Sequence, residues 1–318
     1  MDRIYQRRQP VGYVTATACP RGTPRTAGYP AARLDHGNRT TAQFHVKLAF
    51  GKTTPFGYHS QDRKPAGKQA MFKTLCVANQ KGGVGKTTTA VNLSAALAIA
   101  GHRVLLIDMD PQCNATGALG HRPTDGHPLV RQQPLAESVV ETELAKLSLL
   151  PGSRTFHDVD QLAKTDAPEA DRLREHLTGG IDGYDYVLLD CPPSIGTLTQ
   201  AALICSTEVL MPIQCEYFAM EGLTQLIQVI RKAIQQTDGR LTFAGILLTM
   251  YDPGLELTHE VDGEVREFFG DIVFETVVPR DVALSESPSH GKSVFQYAPR
   301  SRGAFAYTQL CMEVLQRE

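Results

Sequence analysis

From residue 73 onward, short apolar runs alternate with longer stretches of helical period. Lys73 to Ala78, Arg103 to Ile107, Leu147 to Leu150, Tyr184 to Asp190, Val209 to Ile213, Leu241 to Leu248 and Ile272 to Val277 have the length and content of strands. Arg103 to Ile107 and Tyr184 to Asp190 are apolar without alternation, as in a parallel sheet covered on both faces. Between the runs, Lys86 to Ala100, Met220 to Gln235, Glu256 to Phe269 and Ser301 to Leu315 place apolar residues at helical spacing. Gly101 stops the first of these. Residues 156–178 read as a further, solvent-facing helix, and Arg122 to Pro134 as a polar loop. This βαβα order predicts an α/β fold, a doubly wound and mostly parallel sheet in a single globular domain over residues 71–318.

Residues 1–70 break the pattern. They hold 12 Lys and Arg against 3 Asp and Glu, while the rest holds 20 against 31, so a net of +9 is joined to a net of −11. With no sustained period and much Arg, Thr, Pro and Gly, they read as a disordered basic N-terminal extension. Translation starting at Met71 would make it a mis-assigned start. A basic arm holding DNA by charge is the second explanation. An organelle transit peptide fits least, since Ser60 is its only serine.

The apolar fraction of 42% allows a substantial core, and no run of about 18 uncharged apolar residues would span a membrane. Cys19, Cys76, Cys113, Cys191, Cys205, Cys215 and Cys311 form no C-x-x-C pair. Mostly set in apolar runs, they read as reduced, buried thiols of a cytoplasmic protein.

The chemistry concentrates in Gln80-Lys81-Gly82-Gly83-Val84-Gly85-Lys86-Thr87-Thr88, between the first strand and the first helix. Gly85-Lys86-Thr87 ends a phosphate-binding loop of the form G-x-x-x-x-G-K-[ST], making the fold a P-loop NTPase. Backbone N–H groups of Gly82, Gly83, Val84, Gly85, Lys86, Thr87 and Thr88 would face phosphate oxygens, helped by the positive end of the helix. Lys86 reaches the β- and γ-phosphates and the Thr87 hydroxyl ligates Mg²⁺, so ATP and Mg²⁺ are the expected ligands. Gln80 stands where the first glycine belongs, and Lys81 is a second cation that phosphate holding alone does not require.

Acids close two of the strands. Asp108 and Asp110 flank Met109 after the second strand, where side chains enter the ligand crevice of a doubly wound sheet. Asp190 ends the strand from Tyr184 and runs into Cys191-Pro192-Pro193-Ser194, a Walker B strand followed by a rigid turn. Asp108 and Asp190 join Thr87 as candidate metal ligands, and Asp110 is a candidate catalytic group.

From Met71 to the end, the chain resembles the ParA/Soj family of chromosome and plasmid partition ATPases, within the deviant Walker A group that includes MinD. The words that carry the resemblance are Ala-Asn-Gln-Lys-Gly-Gly-Val-Gly-Lys-Thr-Thr-Thr, Leu-Leu-Ile-Asp-Met-Asp-Pro-Gln, Asp-Cys-Pro-Pro-Ser, Gln-Cys-Glu-Tyr-Phe-Ala-Met-Glu-Gly-Leu and Pro-Ser-His-Gly-Lys-Ser-Val. The resemblance implies an ATP-dependent homodimer in which Lys81 crosses to the partner's phosphates. It implies water activation by Asp110, Mg²⁺ near Thr87 and Asp190, and Pro279 and Arg280 lying along the adenine. It also implies slow ATP hydrolysis, a ParB-like stimulator and nucleoid DNA.

Two departures bear on DNA. Arginines that the resemblance leads one to expect are replaced by Gly254, within Tyr251-Asp252-Pro253-Gly254, and by Ala283. Non-specific binding then falls to Arg280, Lys292, Arg300 and Arg302 or to the basic tail. A related ATPase positioning a protein cargo without DNA is the alternative reading. A MinD-like membrane ATPase would need a basic amphipathic C-terminal helix, where the chain has Met312-Glu313-Val314-Leu315-Gln316-Arg317-Glu318. An iron–sulfur carrier of the nitrogenase iron protein type would have only Cys113 and Cys191 as candidate ligands.

Overall fold

A computed structural model describes residues 72–131, 133–155, 176, 183–216 and 219–317. The basic extension over 1–70 and the helix expected at 156–178, apart from His176, lie outside the described residues.

In chain order the elements are β1 (Lys73–Val77), α1 (Lys86–Ile99), β2 (Val104–Asp108), α2 (Asn114–Ala118), α3 (Pro128–Arg131), β3 (Val140–Glu141), β4 (Leu147–Leu150), β5 (Tyr186–Asp190) and α4 (Thr197–Cys205). There follow β6 (Glu208–Gln214), α5 (Ala219–Gln236), β7 (Thr242–Tyr251), α6 (Glu256–Phe269), β8 (Val273–Pro279), α7 (Val282–Glu286), α8 (Val294–Tyr297) and α9 (Arg302–Gln316). The strands form one sheet in the order β3-β4-β2-β5-β1-β6-β7-β8. Only the short β3 runs antiparallel, pairing Val140 with Leu149 at the edge.

Alternate residues of each strand serve opposite faces. Cys76 and Ala78 join Val187, Leu189, Met211 and Ile213 under α4, α5 and α6. Leu75 and Val77 join Leu106, Leu188 and Leu210 under α1 and α9. With both faces covered, the central strands β1, β2 and β5 have no solvent side, which explains their lack of polar alternation. α1 is buried nearly all round, from Thr89 through Ala98. Small side chains let it lie close over the sheet centre.

The expected elements that fall within the described residues are present with shifted ends. β7 continues three residues past Leu248, bringing Thr249 and Tyr251 into the C-terminal edge of the sheet. β8 likewise runs on to Pro279. α4 is not expected from the sequence: at nine residues, with Thr197, Thr199 and Gln200 among apolar neighbours, it is too short for period to separate helix from strand. The loop expected over 122–134 contains the single turn of α3.

Candidate functional site

Parallel pairing places the C-terminal end of each strand except β3 on one edge, and β1 sits at its centre between β5 and β6. The loop after β1 therefore opens beside the acids that end β2 and β5. Gly83 and Gly85 adopt φ of 76° and 87°, a left-handed conformation that a side chain would strain. Gly85 caps α1 without any side chain covering the helix end, which leaves the first N–H groups of the helix for a ligand. Lys86 folds back over the loop, its ammonium donating to the Lys81 carbonyl at 3.0 Å. Burial lowers its pKa, against the opposing pull of Asp190 and Asp110. A buried ammonium held by one carbonyl is a ready site for an anion.

Asp108 and Asp190 are register partners on β2 and β5. Asp190 is fully buried, and its Oδ2 accepts the Thr87 hydroxyl at 2.8 Å. Its Oδ1 has no hydrogen-bond partner among the described residues. Burial, then the charge of Asp108, raises its pKa well above the ordinary carboxylate range. Asp108 has its oxygens engaged within the protein: Oδ2 accepts the Thr116 hydroxyl at 2.6 Å and the Thr116 N–H at 2.8 Å, and Oδ1 accepts the Asp110 N–H at 3.2 Å. Burial still pushes it up to about 6. Asp110 sits at the mouth of the same cluster, its Oδ1 accepting the Gln112 N–H at 2.9 Å.

This donor set fits a hard divalent cation. A hydroxyl and a carboxylate already touch, one buried carboxylate oxygen lacks a donor, and neighbouring acids favour a positive charge there. Thr87 and Asp190 are placed to hold it, whereas the engaged oxygens of Asp108 suit a supporting role.

Lys81 is held apart from the other cation. Its N–H donates to Asn79 Oδ1 at 3.0 Å, and its ammonium pairs with Glu216 Oε2 at 2.7 Å. Pro279 and Arg280 lie at the same edge, three strands from β1, with the Arg280 N–H donating to Tyr251. Arg280, Lys292, Arg300 and Arg302 are exposed. Gly254 and Ala283 follow β7 and β8, beside Leu255, 53% exposed, and Val282, 68% exposed.

Three positioning residues escaped the sequence reading. Asn79 donates to Pro212 at 2.6 Å while accepting from Lys81, tying the loop to β6. Thr116 holds Asp108 and accepts the Gly152 N–H at 2.8 Å. Thr249 donates to the carbonyls of Val84 at 2.9 Å and Ile213 at 3.1 Å, pinning the loop from β7. An Asn directly after a strand next to a glycine loop was a usable signal. Neither threonine had one. Cys191, a cluster-ligand candidate in one reading, is buried with its Sγ 3.4 Å from that of Cys76.

A family profile described as an AAA domain matches residues 72–243. The chain is 44% identical over 250 residues to the sporulation initiation inhibitor protein Soj of Bacillus subtilis, spanning 77% of this chain and 98% of that protein. It is also 44% identical over 255 residues to the chromosome partitioning protein ParA of Caulobacter vibrioides, spanning 78% and 95%. Among solved structures, cobyrinic acid a,c-diamide synthase of Mycobacterium smegmatis with a bound ATP analog and magnesium aligns at TM-score 0.67 and 32% identity, covering 77% and 95%. The Pyrococcus furiosus cell division ATPase MinD aligns at TM-score 0.65 and 26% identity, covering 78% and 100%.

Proposed function

Because this chain belongs to the Soj/ParA family of chromosome-partitioning P-loop ATPases, we propose that it is a partition ATPase whose association state is set by bound nucleotide. The observation that carries the reading is the convergence of Lys86, Thr87, Asp110 and Asp190 on one sheet edge, with Asp190 Oδ1 buried and unpartnered. ATP is the substrate and Mg²⁺ the metal. The glycine loop and the uncapped start of α1 bind the phosphates. Lys86 gives up the Lys81 carbonyl and takes a phosphate oxygen instead. Thr87 and Asp190 would hold the metal, which when bound would supply positive charge to offset that of the phosphates. Asp110 orients the attacking water, and Lys81 serves the triphosphate of a second copy. Positioning and charge stabilisation do all the catalysis, so turnover is slow and dimer-dependent.

ATP closes the dimer and hydrolysis opens it, under a ParB-like stimulator. Light scattering tests this on Asp110→Ala: the variant binds ATP and remains dimeric while turnover is lost. A protein that stays monomeric with ATP and Mg²⁺ at high concentration refutes the switch.

A second reading, positioning of a protein cargo without DNA, draws support from the apolar exposure of Leu255 and Val282 beside Gly254 and Ala283. The net of −11 over residues 71–318 also disfavours a polyanion there. A salt titration of duplex binding by the full chain with ATP separates the two. Binding with a steep salt slope supports partition on DNA, and no binding at low salt supports the cargo reading. No helix of the described residues is long and apolar enough to cross a membrane.

A further inference from the structure

Lys81 already has an anion. Its ammonium lies 2.7 Å from Glu216 Oε2, just beyond β6, while the other Glu216 oxygen accepts the Gln214 side-chain amide. The backbone on either side of the Lys81 side chain is fixed as well. Asn79 accepts its N–H, and its carbonyl accepts the Lys86 ammonium at 3.0 Å. The loop therefore presents the lysine towards the β6 end of its own chain, with the carboxylate steadied to receive it.

We propose that Glu216 is a cis latch on Lys81, a positioning residue that withholds this cation from the second copy of the chain and thereby sets the concentration at which dimers form. The inference rests on the reading that Lys81 crosses to the partner's phosphates. Before crossing, each Lys81 must leave its own Glu216, and that carboxylate stays behind with one donor fewer. The triphosphate of the partner must outbid it. The latch opposes dimerisation equally whatever nucleotide is bound, so it raises the concentration every form needs to dimerise and leaves the ATP form, which offers Lys81 a triphosphate, best able to overcome it.

The strength follows from exposure. The two side chains are 40% and 46% exposed, so solvent screens the pair. A pair of this kind shifts an equilibrium by about 1.5- to 5-fold, and a dimer releases two, giving roughly 2- to 30-fold. That is a threshold rather than a block.

The experiment is Glu216→Gln in the full chain, with dimerisation measured by sedimentation under ATP and Mg²⁺ and under ADP. The dimer dissociation constant should fall by about 2- to 30-fold in both states. The protein concentration giving half-maximal specific ATPase activity should fall by the same factor, with turnover per dimer unchanged. The gain should shrink at about 0.5 M salt, where the wild-type pair is screened. In a Lys81→Ala background the substitution should do nothing, because the latch has lost its other half. Unchanged or weaker dimerisation of Glu216→Gln overturns the latch. If Lys81→Ala alone dimerises with ATP as the wild type does, the crossing reading fails, a result distinct from any response to Glu216→Gln.

Discussion

Thr249→Val keeps the shape of a buried side chain and removes one hydroxyl. That hydroxyl lies 2.9 Å from the Val84 carbonyl and 3.1 Å from that of Ile213, and the residue is 2% exposed. It has one proton to share, so the variant loses one hydrogen bond and leaves a buried carbonyl short of a donor. Such a loss costs about 2 kcal/mol. For a domain of this size it lowers Tm by about 4–8 °C. The Val84 carbonyl belongs to the phosphate loop, so part of the cost reappears on binding, when the phosphates must order a loop that Thr249 no longer pins. If the net value of the bond, about 0.5–1.5 kcal/mol, moves to the binding step, ATP affinity falls roughly 2- to 12-fold. Thr249→Ser is the counterpart. It keeps the hydroxyl and gives up the methyl that faces Gly85, where an added Cβ would come within 3.8 Å. Calorimetric titration of a non-hydrolysable ATP analogue into both variants, with Tm measured alongside, reads the two effects. Equal weakening of binding by Val and Ser, or a lower Tm for Val with affinity untouched, would show that the Thr249 hydroxyl does not order the phosphate loop.

Lys86→Ala should abolish nucleotide binding, measured by the same titration, since the ammonium is buried with Asp190 and Asp110 as its charged neighbours. Gly291→Ala should destabilise by well over about 1 kcal/mol. Its φ is 64°, and a Cβ there would stand 2.7 Å from Gly120 Cα. Gly263→Ala, on the exposed face of α6 with nothing within 4 Å, should instead raise Tm by the equivalent of roughly 0.5–1 kcal/mol. Burial holds Asp108 at about 6 and raises Asp190 well above the ordinary carboxylate range, so the folded metal-free protein retains protons that the unfolded chain has lost. Its stability should fall as pH rises from about 4 through 6. Mg²⁺ competes with those protons, so the rise in Tm given by Mg²⁺ with nucleotide should be larger at pH 7.5 than at pH 5.5; a rise independent of pH refutes the coupling.

The parts legible in the sequence were those whose cause is local. A glycine loop needs adjacent residues in left-handed conformations, a buried strand needs a contiguous apolar run, and a parallel sheet brings strand ends to one edge. Those facts alone put Lys86, Thr87, Asp108, Asp110 and Asp190 on the same side of the molecule. What each side chain touches was decided elsewhere. Thr87 meets Asp190 across 103 residues, Lys81 meets Glu216 across 135, and Val84 meets Thr249 across 165. Periodicity carries no information over such distances, because partner choice depends on which strands become neighbours and how far each extends. Strand β7 ending at Tyr251 rather than Leu248 is what delivers Thr249 to the loop. The same register brings Asp108 against Asp190, while Thr116, on a helix of a single turn, leaves Asp108 fully engaged and Asp190 with a free oxygen.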